Sequence, residues 1–104
     1  MHERQHLYIN GSWIEPNGEG TIEVVNPATE QIIGSVPVGN ESDANAAVEA
    51  ARAAFTNWSA STVEERSNYL NLLSSAIKDR GEEIAELITS EVGTPIEYSR
   101  MAMV

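Results

Sequence analysis

The chain has 104 residues, enough for one small domain with its own core and too few for two. Sixteen Asp and Glu stand against six Lys and Arg, a net charge of -10, and no Lys/Arg cluster is present to meet a nucleic-acid backbone or an anionic membrane surface. The complete lack of cysteine excludes a disulfide framework, a thiolate metal site and a thiol nucleophile within these residues.

An apolar fraction of 41% without a long Pro/Gly/Ser tract reads as a folded chain. No apolar run follows Met1-His2-Glu3-Arg4-Gln5-His6, so the start does not read as a signal peptide, and no stretch approaches the length of a membrane span. These features predict a soluble, cytoplasmic protein.

Residues 1–40 predict β-hairpins and residues 41–104 predict helices. Leu7-Tyr8-Ile9 and Ser12-Trp13-Ile14 flank Asn10-Gly11, a pair that tolerates positive φ and suits a tight hairpin. Pro16-Asn17-Gly18 breaks the pattern. Thr21 to Val25 is a second β-prone run, Asn26-Pro27-Ala28-Thr29 makes a turn, and Gln31 to Val36 returns antiparallel. Hairpins this short need something to pack on.

From Ser42 the period becomes helical. Ser42 reads as the N-cap with Asp43 in the first turn, and Ala44, Ala47, Val48, Ala51, Ala54, Phe55 and Trp58 form one apolar stripe. Ser61 with Glu64 and Thr62 with Glu65 offer two overlapping capping boxes for a second helix. That helix carries Val63, Tyr69, Leu70, Leu73, Ala76 and Ile77, and Gly81 ends or bends it. Ile84, Leu87, Ile88 and Val92 resume the stripe.

Gly93 reads as a C-terminal stop. Thr94-Pro95-Ile96-Glu97 restarts a helix with Thr94 as cap, Pro95 at the first position and Glu97 closing a box. The short run left before Val104 predicts continuation in a longer parent. The expected fold class is α+β, two N-terminal β-hairpins followed by three helical segments.

No GxxxxGK[ST], GxGxxG or HExxH motif occurs. Gly18-Glu19-Gly20 lacks the third glycine and the following helix of a dinucleotide fingerprint. His2 and His6 have the i, i+4 spacing of helical metal ligands, but a mobile tail is the plainer expectation. Glu82, Glu83 and Glu86 read as a solvated helix face, with Glu91 taken separately below, and Trp13 and Trp58 read as packing aromatics.

Read as strings, the residues resemble the aldehyde dehydrogenase family along essentially the whole chain. The resemblance rests on Leu7-Tyr8-Ile9-Asn10-Gly11-Ser12-Trp13, Val25-Asn26-Pro27-Ala28-Thr29-Glu30, Ile33-Gly34-Ser35-Val36-Pro37 and Ala47-Val48-Glu49-Ala50-Ala51-Arg52-Ala53-Ala54-Phe55. Trp58-Ser59, Glu65-Arg66, Glu91-Val92-Gly93-Thr94-Pro95 and Ser99-Arg100 complete it, and the order and spacing of the pieces make it specific.

The resemblance implies an N-terminal part of the coenzyme-binding domain of an α/β, Rossmann-type parent. Such a parent oxidises aldehydes to acids with NAD or NADP through a cysteine thiohemiacetal, which a glutamate-activated water then releases. The family's cysteine, glutamate and nucleotide loop lie downstream of the matched region. Residues 1–104 are therefore expected to be scaffold, with no catalytic or cofactor-binding residue and no cofactor of their own.

The resemblance also implies a monovalent cation, Na or K, held by the backbone carbonyl of Val24 or Val25 and by the Glu91 carboxylate. Oxygen ligands of that kind suit a hard cation. The implied partners are an aldehyde substrate, the remainder of the enzyme and further copies in a homo-oligomer. The alternative is a stand-alone, non-catalytic interaction module with the helix stripes as its binding surface.

Overall fold

A computed structural model describes residues 2–104, Met103 by its backbone alone. The chain forms two compact units, one comprising Met1–Val24 with Ile32–Ala60 and the other Val25–Gln31 with Ser61–Val104.

The first unit contains β1 (His2–Glu3), β2 (Leu7–Ile9), β3 (Ser12–Ile14), most of β4 (Thr21–Val25), β5 (Ile32–Pro37) and α1 (Glu41–Ala60). Strands β2 and β3 pair antiparallel in the register Leu7↔Ile14, Tyr8↔Trp13 and Ile9↔Ser12. Their two-residue turn has φ of 54° at Asn10 and 76° at Gly11. Positive φ at both central residues is the type I′ turn, whose twist matches the flanking strands. Tyr8 and Trp13 meet across the ladder with ring centroids 5.0 Å apart and planes inclined by 59°, both rings largely exposed.

The second sheet has the order β1-β5-β4. Strand β5 returns beside β4, and the Val38 N–H donates to the Gly20 carbonyl at 3.1 Å. On its other edge lies β1, parallel to β5, with His2 opposite Gly34 and Glu3 opposite Ser35. The Arg4 N–H extends the pairing to the Ser35 carbonyl at 2.9 Å. The expected mobile tail is thus corrected for residues 2–4, which are tied to a sheet edge; Met1 lies outside the described residues. Gly34 is buried beneath β1, and a Cβ there would sit 2.4 Å from the His2 carbonyl oxygen.

Helix α1 starts one residue before the expected cap at Ser42. Asn40 takes that place: its Oδ1 accepts the Asp43 N–H at 3.1 Å, and its own N–H donates to Asp43 Oδ2 at 2.9 Å. This is the reciprocal logic of a capping box with Asn and Asp in the two roles. The Ala44, Ala47, Val48, Ala51, Ala54, Phe55 and Trp58 stripe is exposed throughout, with Phe55 at 66%.

The second unit contains the turn between β4 and β5, α2 (Val63–Asp79), α3 (Gly81–Val92), α4 (Ile96–Tyr98) and a terminal π-helical turn (Ser99–Met103). Of the two capping boxes available to α2, Thr62 with Glu65 forms. The Thr62 N–H donates to Glu65 Oε2 at 2.7 Å, and the Glu65 N–H donates to Thr62 Oγ1 at 3.1 Å. Donation from Thr62 holds the Glu65 carboxyl below its ordinary pKa. The Ser61 carbonyl and, at 3.4 Å, its hydroxyl accept from the Arg66 guanidinium.

The break between α2 and α3 falls at Arg80, not at the expected Gly81. Arg80 has φ -109° and ψ 15°, and its N–H bonds back to the Ile77 carbonyl at 3.1 Å, tightening the last turn. Gly81 opens α3. The Arg80 guanidinium forks onto Glu83 with bonds of 2.9 and 2.7 Å.

Gly93 ends α3 in the left-handed region, φ 82°, with its N–H on the Thr89 carbonyl at 2.9 Å, as expected. The restart differs from expectation. Thr94 does not cap α4; Pro95 holds the N-cap position and Glu97 pairs with Arg100 at 2.7 Å. The Thr94 hydroxyl instead meets Ser99 Oγ at 2.8 Å, and Thr89 Oγ1 meets the same atom at 2.9 Å. Ser99 is 0% exposed, so this hydroxyl cluster satisfies a buried polar group where α3 packs on the π-helical turn. Arg100 also bonds Glu82 at 2.9 Å, which lowers the Glu82 pKa and raises that of the guanidinium.

Ala85 is the one apolar side chain fully shielded from solvent among the described residues. Leu70, in the middle of α2, is 63% exposed. The helical stripes are real, but within this chain little covers them.

Candidate functional site

Of the residues that the resemblance marks as cation ligands, Val25 and Glu91 belong to the second unit. In the second unit, the Asn26 side chain organises the turn by accepting from the N–H groups of Ala28 at 2.9 Å and Thr29 at 3.3 Å. The Asn26 main chain closes it, accepting from Glu30 N–H at 2.8 Å and donating to the Gln31 carbonyl at 2.9 Å. Pro27 projects from this turn onto the end of α3, where a Cβ on Gly93 would lie 2.9 Å from its Cγ.

That contact brings the segments of Val25 and Glu91 to one corner, since each is two residues from a partner in it. Val24 belongs to the first unit. Val25 and Glu91 are both exposed. A carbonyl and a carboxylate are the right donor types for a hard cation, but they make only part of the shell of six or so oxygens that such ions take. Among the described residues no group of three or more His, Cys, Asp and Glu side chains could hold a metal. His2 lies on β1 and His6 pairs with Glu15 at 2.8 Å, so the two histidines do not share a helix face.

The most heavily engaged carboxylate is one that the residue pattern marks only as a first-turn charge. Asp43 is 3% exposed. Besides capping α1, it accepts the Asn17 N–H at 2.9 and 3.0 Å, the Asn17 side-chain amide at 2.8 Å and the Gly18 N–H at 3.1 Å. The backbone N–H of Asn17, then that of Asn40, lowers its pKa from 3.8 to about 2. Gly18 must be glycine here, because a Cβ would fall 2.1 Å from the Val38 carbonyl oxygen. The Gly18-Glu19-Gly20 run is therefore a tethered loop leading into β4. Its signal in the sequence was the Asn-Gly pair and an Asp three residues after an Asn, two facts that nothing local connects.

The sequence pattern of the aldehyde dehydrogenase family matches residues 13–104. The chain belongs to the aldehyde dehydrogenase family. Among its relatives, a putative aldehyde dehydrogenase of Staphylococcus haemolyticus is 45% identical over 99 residues, covering 95% of this chain and 21% of the relative. Another from Staphylococcus aureus is 41% identical with the same coverage. The chain thus spans about a fifth of the length of the family members it matches.

Solved family structures share the fold. An aldehyde dehydrogenase from Bartonella henselae superposes with a TM-score of 0.93 at 29% identity, over 98% of this chain and 21% of that one. A variant of aldehyde dehydrogenase C from Pseudomonas syringae, solved with NAD+ and octanal, gives 0.92 at 40% identity over 96% of this chain and 21% of that one. The expected α+β order of strands then helices is the family's own N-terminal arrangement.

Proposed function

We propose that residues 1–104 are the N-terminal part of the coenzyme-binding domain of an enzyme that oxidises aldehydes to carboxylic acids with NAD or NADP. The observation that carries this reading is the TM-score of 0.92 with a family member solved with both NAD+ and an aldehyde. The residues here contain no cysteine, so the thiolate that forms the thiohemiacetal comes from outside them. Their part is scaffold: the strands and capped helices hold a face on which the rest of the domain packs. The cytoplasm is the proposed location and a homo-oligomer the proposed assembly.

A chimera tests this. The chain replaces the matching segment of the Staphylococcus haemolyticus relative, and reduced-cofactor absorbance is followed with a panel of aldehydes. The expected result is turnover by the chimera and none by residues 1–104 alone. A chimera that folds but does not oxidise any aldehyde overturns the reading, as does activity that tracks the purified chain by itself.

The cation reading extends the same proposal. The carbonyl of Val25 or Val24 and the Glu91 carboxylate supply oxygen ligands for Na or K, and downstream residues complete the shell. The Pro27–Gly93 contact supports it by joining the two segments. In the chimera, Glu91→Gln is expected to change cation dependence or stability more than the single-turnover rate. A large loss of that rate at unchanged stability would count against it.

A further inference from the structure

The sequence contains two Asn-Gly pairs, Asn10-Gly11 and Asn17-Gly18, and the fold treats them in opposite ways. We propose that Asn10 is a site of spontaneous covalent modification through a cyclic imide, and that Asp43 shields the chemically identical Asn17-Gly18 pair.

The reaction is internal to the dipeptide. The backbone nitrogen of the glycine attacks the asparagine Cγ, forming an N–Cγ bond and a five-membered ring. The Cγ–Nδ2 bond breaks, and Nδ2 leaves as ammonia with the proton that the glycine nitrogen gives up. Water then opens the imide at either carbonyl, yielding aspartate or, with one extra methylene in the main chain, isoaspartate. Glycine in second place favours attack because no Cβ crowds its nitrogen.

At Asn10 the reacting groups are open to solvent. Asn10 and Gly11 are exposed, and no atom lies within 4 Å of a Cβ built on Gly11. Ring closure requires the Asn10 peptide to rotate out of its turn geometry. The turn is held by strands of three residues each, β2 and β3, which form a sheet of their own. A ladder that short opens locally at little cost.

At Asn17 each reacting group is held by one buried carboxylate. The leaving amide Nδ2 donates to Asp43 Oδ1 at 2.8 Å, and the attacking nitrogen of Gly18 donates to Asp43 Oδ2 at 3.1 Å. The Asn17 N–H is fixed to the same group at 2.9 and 3.0 Å. Rotation into the reactive geometry breaks charge-assisted hydrogen bonds. The carboxylate also opposes removal of the Gly18 proton, since a second negative charge would form beside the first.

The test is peptide mapping by mass spectrometry, with isoaspartate-selective methyl transfer, after timed incubation of the folded protein in mildly alkaline buffer. A parallel sample in urea gives the rates without structure. The folded protein is expected to convert Asn10 about tenfold or more faster than Asn17, the two rates converging in urea as the protecting bonds are lost. Asp43→Asn is expected to raise the Asn17 rate selectively, leaving that of Asn10 unchanged. Should that variant unfold, the comparison of wild-type folded and urea samples still decides. Equal rates in the folded protein, or an Asn10 that stays intact while the urea sample converts, overturns the proposal.

Discussion

Pro27 fills the space that a side chain on Gly93 would need, its Cγ lying 2.9 Å from the position of a Gly93 Cβ. Glycine at this position therefore answers two demands at once, a φ of 82° that ends α3 and the approach of the Asn26-Pro27 turn.

Gly93→Ala is expected to lower stability by about 1–3 kcal/mol from the left-handed backbone, with a further loss from the contact. Chemical denaturation measures it. Pro27→Ala in the same molecule should recover the contact part only, so the double mutant falls short of additivity. Strict additivity would show that the proline and the glycine do not press on each other.

Thr62→Ala is expected to cost about 0.5–2 kcal/mol, the usual range for losing an N-cap side chain. Ser61→Ala should cost much less, since the Arg66 guanidinium takes the main-chain carbonyl of Ser61. Thermal melts of the two variants side by side check this. Equal losses would mean that both overlapping boxes operate.

Ser99→Ala removes the shared partner of Thr89 and Thr94 from a buried position. The expected loss is about 1–3 kcal/mol, because hydroxyls are left without their bond in a site closed to water. Hydrogen exchange should quicken at the end of α3 and in the π-helical turn. Unchanged exchange there would place the effect elsewhere.

Acid should act through Asp43. Its folded pKa, about 2, lies below the ordinary 3.8, so its stabilising contribution is fully present above about pH 4 and is lost as pH falls towards 2. Glu65 and Glu82, also lowered, contribute in the same direction. Circular dichroism over an acid titration is expected to show a steep loss in that window. Asp43→Asn should start from a lower stability and flatten the limb, whereas an undiminished limb would assign it to other carboxylates.

Legibility followed the range of the interactions. The Asn10-Gly11 hairpin, the Gly93 stop and the Thr62 box were readable because each is set by residues within a few positions of one another. The cap at Asn40 was missed because the bond that chooses it comes from Asp43, which is also tied to Asn17 and Gly18 some 25 residues away. Thr94 departs from its expected capping role because its hydroxyl shares the buried Ser99 Oγ with Thr89 on α3, a packing contact that no capping pattern encodes. Strand β1 gave no signal at all, since a main-chain pairing of two residues leaves no hydropathy pattern. The candidate cation residues came from resemblance alone; neither a carbonyl at Val25 nor a lone carboxylate at Glu91 announces a ligand.

The attachment of β1 has an evolutionary consequence. It is made by main-chain groups lying over Gly34, so the side chains at positions 2 and 3 are free to drift while position 34 is not. Related chains should vary widely at the positions matching His2 and Glu3 and still keep the edge strand, provided that proline stays out of the pairing and the residue beneath keeps no side chain.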